Sequence, residues 1–159
     1  MKGISIGLWL VAGISGAVVF WLFQSATGPS TITAHMGQRI VAEGGFPQSW
    51  ILPIGWGVHV AVSLAYALLF ALLILPMVVL AERFRLLFGL ILAAALGWGT
   101  TLITVPAIAA TISVLSGKGF PVNLPGLNTA YGLPFWNHML FFGIVWLVYL
   151  FIPYLSKKF

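Results

Sequence analysis

The chain is built from long apolar stretches separated by short polar ones. Four stretches, at about residues 3–23, 54–80, 86–115 and 135–155, carry almost no charge. A bilayer core takes about 20 apolar residues in a helix. Each stretch is long enough to span, and the second and third exceed the minimum, which implies tilt or extension beyond the lipid. In hydrocarbon every backbone N–H and C=O must be satisfied within the structure, so helices are the default. The runs are continuously apolar rather than alternating, which excludes a membrane β-barrel. The expected fold is an all-α four-transmembrane-helix bundle, a single membrane domain over residues 1–159.

The polar segments refine this picture. After Gly28-Pro29, Ser30 is placed to cap a short helix over Thr31 to Glu43, ended by Gly44-Gly45. Ile32, Met36 and Ile40 recur every four residues, and His35, Arg39 and Glu43 fall on another face. That pattern predicts an amphipathic helix lying on the outer leaflet. Its Arg39 and Glu43, four residues apart, are spaced for a local ion pair. The segment at 116–134 holds Gly117, Gly119, Pro121, Pro125, Gly126, Gly132 and Pro134, which is turn chemistry.

Composition narrows the class. Of 159 residues, 61% are hydrophobic and 6% charged, against roughly 25% charged in soluble domains. The net charge of +5 comes from seven basic residues against Glu43 and Glu82. So few charges exclude a nucleic-acid footprint, which needs clustered Lys and Arg, and they read as topology marking. With alternating spans, Lys2, Arg83, Arg85, Lys157 and Lys158 share one side, and Arg39 and Lys118 the other. The positive-inside rule then puts both termini in the cytoplasm. Trp21, Trp50, Trp56, Tyr131, Phe135 and Trp136 are expected at the outer boundary as an interfacial belt. The first apolar run is longer than a signal-peptide core, and Gln24-Ser25-Ala26 matches a cleavage site poorly, so the segment is expected to be retained. Cysteine is absent, which removes disulfides and thiolate chemistry.

The halves echo each other. Gly7-Leu8-Trp9-Leu10-Val11-Ala12 parallels Gly89-Leu90-Ile91-Leu92-Ala93-Ala94. Gly45-Phe46-Pro47, Leu52-Pro53, Trp56 and His59 parallel Gly119-Phe120-Pro121, Leu133-Pro134, Trp136 and His138. Two duplicated helical hairpins would produce this order, related by an axis along the membrane normal. Small residues recur at four-residue spacing in the first and third spans: Ala12 with Gly16, Gly13 with Ala17, Ala93 with Gly97, and Ala95 with Gly99. Such stripes allow close backbone approach. They predict either central packing of these two spans or a surface for another subunit.

Candidate chemistry is sparse. His59 and His138 open the second and fourth spans, and ionisable groups within spans are costly and often functional. Two neutral imidazoles could ligate a haem b iron axially, or a metal ion with His35 as third ligand. The plainer reading is that each histidine hydrogen-bonds within the bundle. Ser63 and Tyr66 extend a polar strip from His59. The third span holds Thr100, Thr101, Thr104 and Thr111 around Pro106, which removes the hydrogen bond to the Leu102 carbonyl and should kink the helix. Threonine hydroxyls are expected to satisfy the freed groups. A hydroxyl-lined helix could border a solute path, though packing is the more usual role. No nucleophile–base pair, phosphate loop or zinc-protease motif is present, so no enzyme is expected.

At His59-Val60-Ala61-Val62-Ser63, followed by Ala65-Tyr66, the chain resembles the YagU-like family of bacterial inner-membrane proteins, which has a similar His-x-x-x-Ser opening to a span. The resemblance resumes at Gly89-Leu90, Pro106, Leu124-Pro125, and a final span opening at His138 with Trp146 after it. It covers residues 54–150 in scattered positions, and the spacing from Pro106 to His138 is longer than in the family pattern. It implies an inner-membrane protein associated with acid resistance, with His59 and His138 at family-like positions, and it supplies no mechanism. The functional expectation is a non-catalytic accessory or structural subunit, packed against other membrane subunits or itself in the lipid bilayer. The alternatives are an electron-transfer module holding haem b or a metal, and a small permease.

Overall fold

The computed structural model describes residues 6–80 and 84–155. They form five helices: α1 (Ile6–Thr27), α2 (Ile32–Gly44), α3 (Ile51–Leu80), α4 (Arg85–Leu115) and α5 (Leu133–Leu155), the last two joined by the long segment 116–132. A 3-10 turn at Gln48–Trp50 leads into α3. The fold is an all-α four-helix bundle. Helices α1, α3, α4 and α5 are each long and apolar enough to cross a membrane. The charged groups Lys2, Glu82, Arg83, Lys157 and Lys158, used above as topology markers, lie outside the described residues.

Composition puts apolar side chains on the outside as well as the inside. Leu10, Ile14, Leu22, Leu72, Leu86, Leu90, Trp98 and Phe151 are all exposed. A soluble monomer rarely tolerates such contiguous apolar surface, whereas lipid covers it without cost. Inside, Ala12, Ala67, Phe70, Ile74, Leu92, Ala93, Phe141, Phe142 and Val145 form the main core. The Trp9 indole donates to the Leu64 carbonyl at 2.8 Å, giving the indole N–H a partner within the bundle.

The helices stand at the corners of a square. Helix α1 packs on α3 and α5, and α4 packs on the same two, while α1 and α4 share no contact among the described residues. The expected central packing of the first and third spans is therefore not what forms. Their small residues receive the bulky spans instead. A Cβ on Gly13 would meet Leu64 and Ala67, one on Gly16 would meet the Phe141 ring, and one on Gly97 would meet Met139. A glycine stripe invites close approach without specifying the partner, and large residues on α3 and α5 fill it. The Ala95–Gly99 pair does not join this pattern. Ala95 is exposed, and a Cβ on Gly99 would meet nothing within 4 Å.

Helix α2 forms where the pattern placed it, with two differences. Its N-cap is Thr31 rather than Ser30: the Thr31 hydroxyl accepts from the Ala34 N–H at 3.3 Å, the N3 amide that a cap normally serves. Gly45 ends the helix in the left-handed region at φ 69°, its N–H returning to the Val41 carbonyl. Its apolar face does not lie on a leaflet. Met36 and Ile40 pack with Ile112 of α4, supported by Ile54, Val58 and Ile108. The reason is a glycine crossing between α2 and α3. A Cβ on Gly37 would collide with the Ile51 carbonyl, and one on Gly55 with the Thr33 carbonyl, so the two backbones touch. The aromatic rings expected at a boundary gather at this same end: Trp21 on Trp56 at 5.3 Å, and Phe135 against both Tyr131 and Trp136.

Helix α4 runs unbroken through Pro106. The Leu102 carbonyl left without its helical donor is taken by the backbone N–H of Asn128 at 2.8 Å. The threonines do not fill that gap. Thr100, Thr101, Thr104 and Thr111 each donate to a carbonyl one turn earlier in their own helix. Leu102 lies about 20 Å down the axis from Leu115 at 1.5 Å per residue. The segment after α4 therefore descends along that helix before α5 begins.

Candidate functional site

The diagonal gap between α1 and α4 is treated differently at the two ends of the bundle. At the end away from α2 it is filled by Phe70, Phe141, Phe142 and Val145. At the α2 end it is left as a cavity of about 280 Å³. The lining follows helical spacing. Helix α3 contributes His59, Val62, Ser63 and Tyr66; α4 contributes Thr104, Ala107, Ile108 and Thr111; α5 contributes Pro134, Asn137, His138 and Phe141. Each set is an i, i+3, i+4, i+7 stripe, one face of its helix, which Val58 widens on α3 and Leu133 on α5. Helix α1 adds Phe20, Gln24 and Thr27, the α1–α2 connection adds Gly28, Pro29 and Ser30, and α2 adds Ile32 and Met36. The Gln24 side chain helps hold that connection, its Oε1 accepting from the Ile32 N–H at 2.8 Å.

The two span histidines do share this cavity. Each imidazole packs on Phe20, with ring centroids 5.3 Å away for His59 and 5.8 Å for His138. Trp56 backs His59, and Tyr66 lies against His138. Their tautomers follow from their partners. His59 Nε2 lies 2.9 Å from the Ala17 carbonyl, and His138 Nδ1 lies 2.7 Å from the Pro134 carbonyl. A carbonyl only accepts, so each of those nitrogens carries the proton. In a neutral ring the other nitrogen, Nδ1 of His59 and Nε2 of His138, keeps its lone pair. Such an N–H anchored on a carbonyl also suits a metal ligand. His35 does not join them; it sits exposed on α2. Among the described residues no group of three or more His, Cys, Asp or Glu is placed to hold a metal ion.

The other expected residues divide. Ser63, Tyr66 and Thr104 line the cavity, whereas Thr100 and Thr101 are buried below it and Pro106 is buried outside its lining. The residue that sequence reasoning missed is Asn137. It is 2% exposed, it lines the cavity, and its Oδ1 has no hydrogen-bond partner. Its position immediately before His138 was the available signal. No Asp, Glu, Lys or Arg lines the cavity. The charges gather instead around Glu43, which takes Arg39 at one carboxylate oxygen and Lys118 at the other, at 2.6 and 2.8 Å. The expected Arg39–Glu43 pair is thus one arm of a triad that also ties α2 to the segment after α4. The hydrogen bonds from Lys118 and then Arg39 hold the Glu43 carboxyl below its usual range.

Four spans around one uncharged cavity define a multi-pass membrane protein with a small-molecule-sized hollow at one end. No family model, curated protein or solved structure matches this chain.

Proposed function

We propose that this multi-pass protein is a non-catalytic binding protein, holding a small molecule in the cavity among α1, α3, α4 and α5. The observation that carries this reading is Asn137. An amide oxygen buried without a partner costs about 1–3 kcal/mol, and here it belongs to a side chain lining a cavity of about 280 Å³. A mostly apolar hollow with a few convergent polar groups is the usual form of a ligand site. The experiment is extraction in mild detergent, denaturation, and mass spectrometry of what is released. A stoichiometric small molecule should accompany the wild type and be missing from Ala107→Trp, which fills the cavity. An empty wild-type protein would sink the reading.

An accessory-subunit role is supported by a separate observation. Ala95 and Gly99 present a small-residue stripe away from the bundle, beside an exposed Trp98. Co-purification with larger membrane proteins tests it, and a protein that runs alone and monomeric would count against it. The haem reading is weaker, because a porphyrin between His59 and His138 competes with the Phe20 ring that packs on both. A Soret band in the purified protein would restore it. The permease reading would need the cavity extended past the Phe70–Phe142 core. The basic residues favour both termini in the cytoplasm, which would open the cavity toward the outer face; a bacterial inner-membrane setting is what the resemblance to the YagU-like family suggests. Reporter fusions at the C-terminus test that orientation.

A further inference from the structure

Resting on the cavity reading, we infer that the occupant is an uncharged molecule that brings hydrogen-bond donors, as the hydroxyls of an alkyl hydroquinone do. The argument is an inventory of which lining atoms have already spent their hydrogens. His59 and His138 donate to the carbonyls of Ala17 and Pro134, leaving one lone-pair nitrogen on each ring. Thr104 and Thr111 donate to the carbonyls of Thr100 and Ala107, so their hydroxyl oxygens can only accept. The unpartnered atom of Asn137, Oδ1, is an acceptor too. The Ser63 and Tyr66 hydroxyls and the Asn137 amide nitrogen keep hydrogens to donate, but a ligand offering only carbonyl or ether oxygens would still leave the imidazole, threonine and Asn137 oxygen acceptors unmatched. With no Asp, Glu, Lys or Arg in the lining, neither an ammonium nor a phosphate or carboxylate head would find a counter-charge.

Three probes of nearly equal size separate the possibilities: decyl-hydroquinone, which donates; decyl-benzoquinone, its oxidised form, which only accepts; and the dimethyl ether of the hydroquinone. Equilibrium dialysis against the detergent-solubilised wild-type protein should show the hydroquinone bound more tightly than either of the others, on the order of tenfold for one mismatched hydrogen bond. His138→Phe and His59→Phe should compress that difference. Thr111→Val keeps the volume and removes one acceptor, so it serves if the histidine variants fail to fold. Equal binding of the three, or preference for the quinone, would overturn the assignment. Failure of all three to bind would overturn it as well, as would a charged molecule released from the extracted protein. The release experiment decides the cavity reading independently, so a donor-poor or charged ligand found there refutes this inference and keeps the site.

Discussion

Asn137 is the side chain that packing explains least. The same amide costs stability when the cavity is empty and contributes affinity when it is filled. Asn137→Leu should therefore raise the unfolding free energy of the ligand-free protein by about 1–2 kcal/mol, the cost of a buried unpartnered polar group, while retention of the bound molecule falls. Thermal unfolding in detergent before and after ligand stripping checks both halves, and opposite signs are the expected result. The histidines were legible because imidazoles are rare in apolar spans, and Ser63 and Tyr66 because they share a helical face with His59. Asn137 was passed over because an amide, unlike an imidazole, is common enough at the start of a span to read as an interfacial residue, although it shares the Pro134–His138–Phe141 face of α5. Glu43 gives a second prediction. Its folded-state pKa is depressed by Lys118 and Arg39, so its contribution is present above the usual carboxylate range and lost as pH falls through the lowered value. Protection factors, taken relative to the intrinsic exchange rate at each pH, should be high at residues 41–46 and 117–120 at neutral pH and fall in acid, and Glu43→Gln should remove that pH dependence.

Helix α4 shows how a local rule can be read correctly and completed wrongly. Pro106 announces a missing hydrogen bond to Leu102, and that much follows from the sequence. The donor that replaces it, the Asn128 N–H, comes from a coil with no periodicity, so nothing in the pattern could point to it. Pro106→Ala should restore a donor within the helix and set it in competition with Asn128. Exchange of the Asn128 amide should then rise on the order of tenfold, equivalent to losing about 1 kcal/mol of hydrogen bonding, while α4 itself stays protected. Unchanged exchange would mean that the descending segment is held by other contacts. Helix α2 carries the same lesson. Its period and C-terminal glycines were readable. Its docking on α3 was not, because it depends on Gly37 and Gly55 meeting across 18 residues of sequence, and a glycine records no preferred partner.

Span number and length were fixed by the need to bury about 20 apolar residues per crossing, which is why they could be read directly. The arrangement of spans was not fixed that way. Apolar helices in lipid have no hydrophobic face to match, so their order depends on which grooves accept which bulky side chains. This makes the small-residue stripes a test of what the bundle does with its outside. Gly97 and Gly99 lie on one helix two residues apart and on different faces. A Cβ on Gly97 would meet Met139 Sδ at 2.9 Å and Met139 Cα at 3.3 Å, whereas one on Gly99 would meet nothing. Gly97→Leu should cost about 1–3 kcal/mol through overpacking. Gly99→Leu should leave the isolated protein's stability within about 0.5 kcal/mol, as surface substitutions usually do. If the Ala95–Gly99 stripe is a subunit contact, Gly99→Leu should nevertheless abolish co-purification of the partner in mild detergent. A partner retained by Gly99→Leu would move the contact elsewhere on the bundle. A loss of stability in that variant, with no partner present, would show that this face already packs against a second copy of the chain.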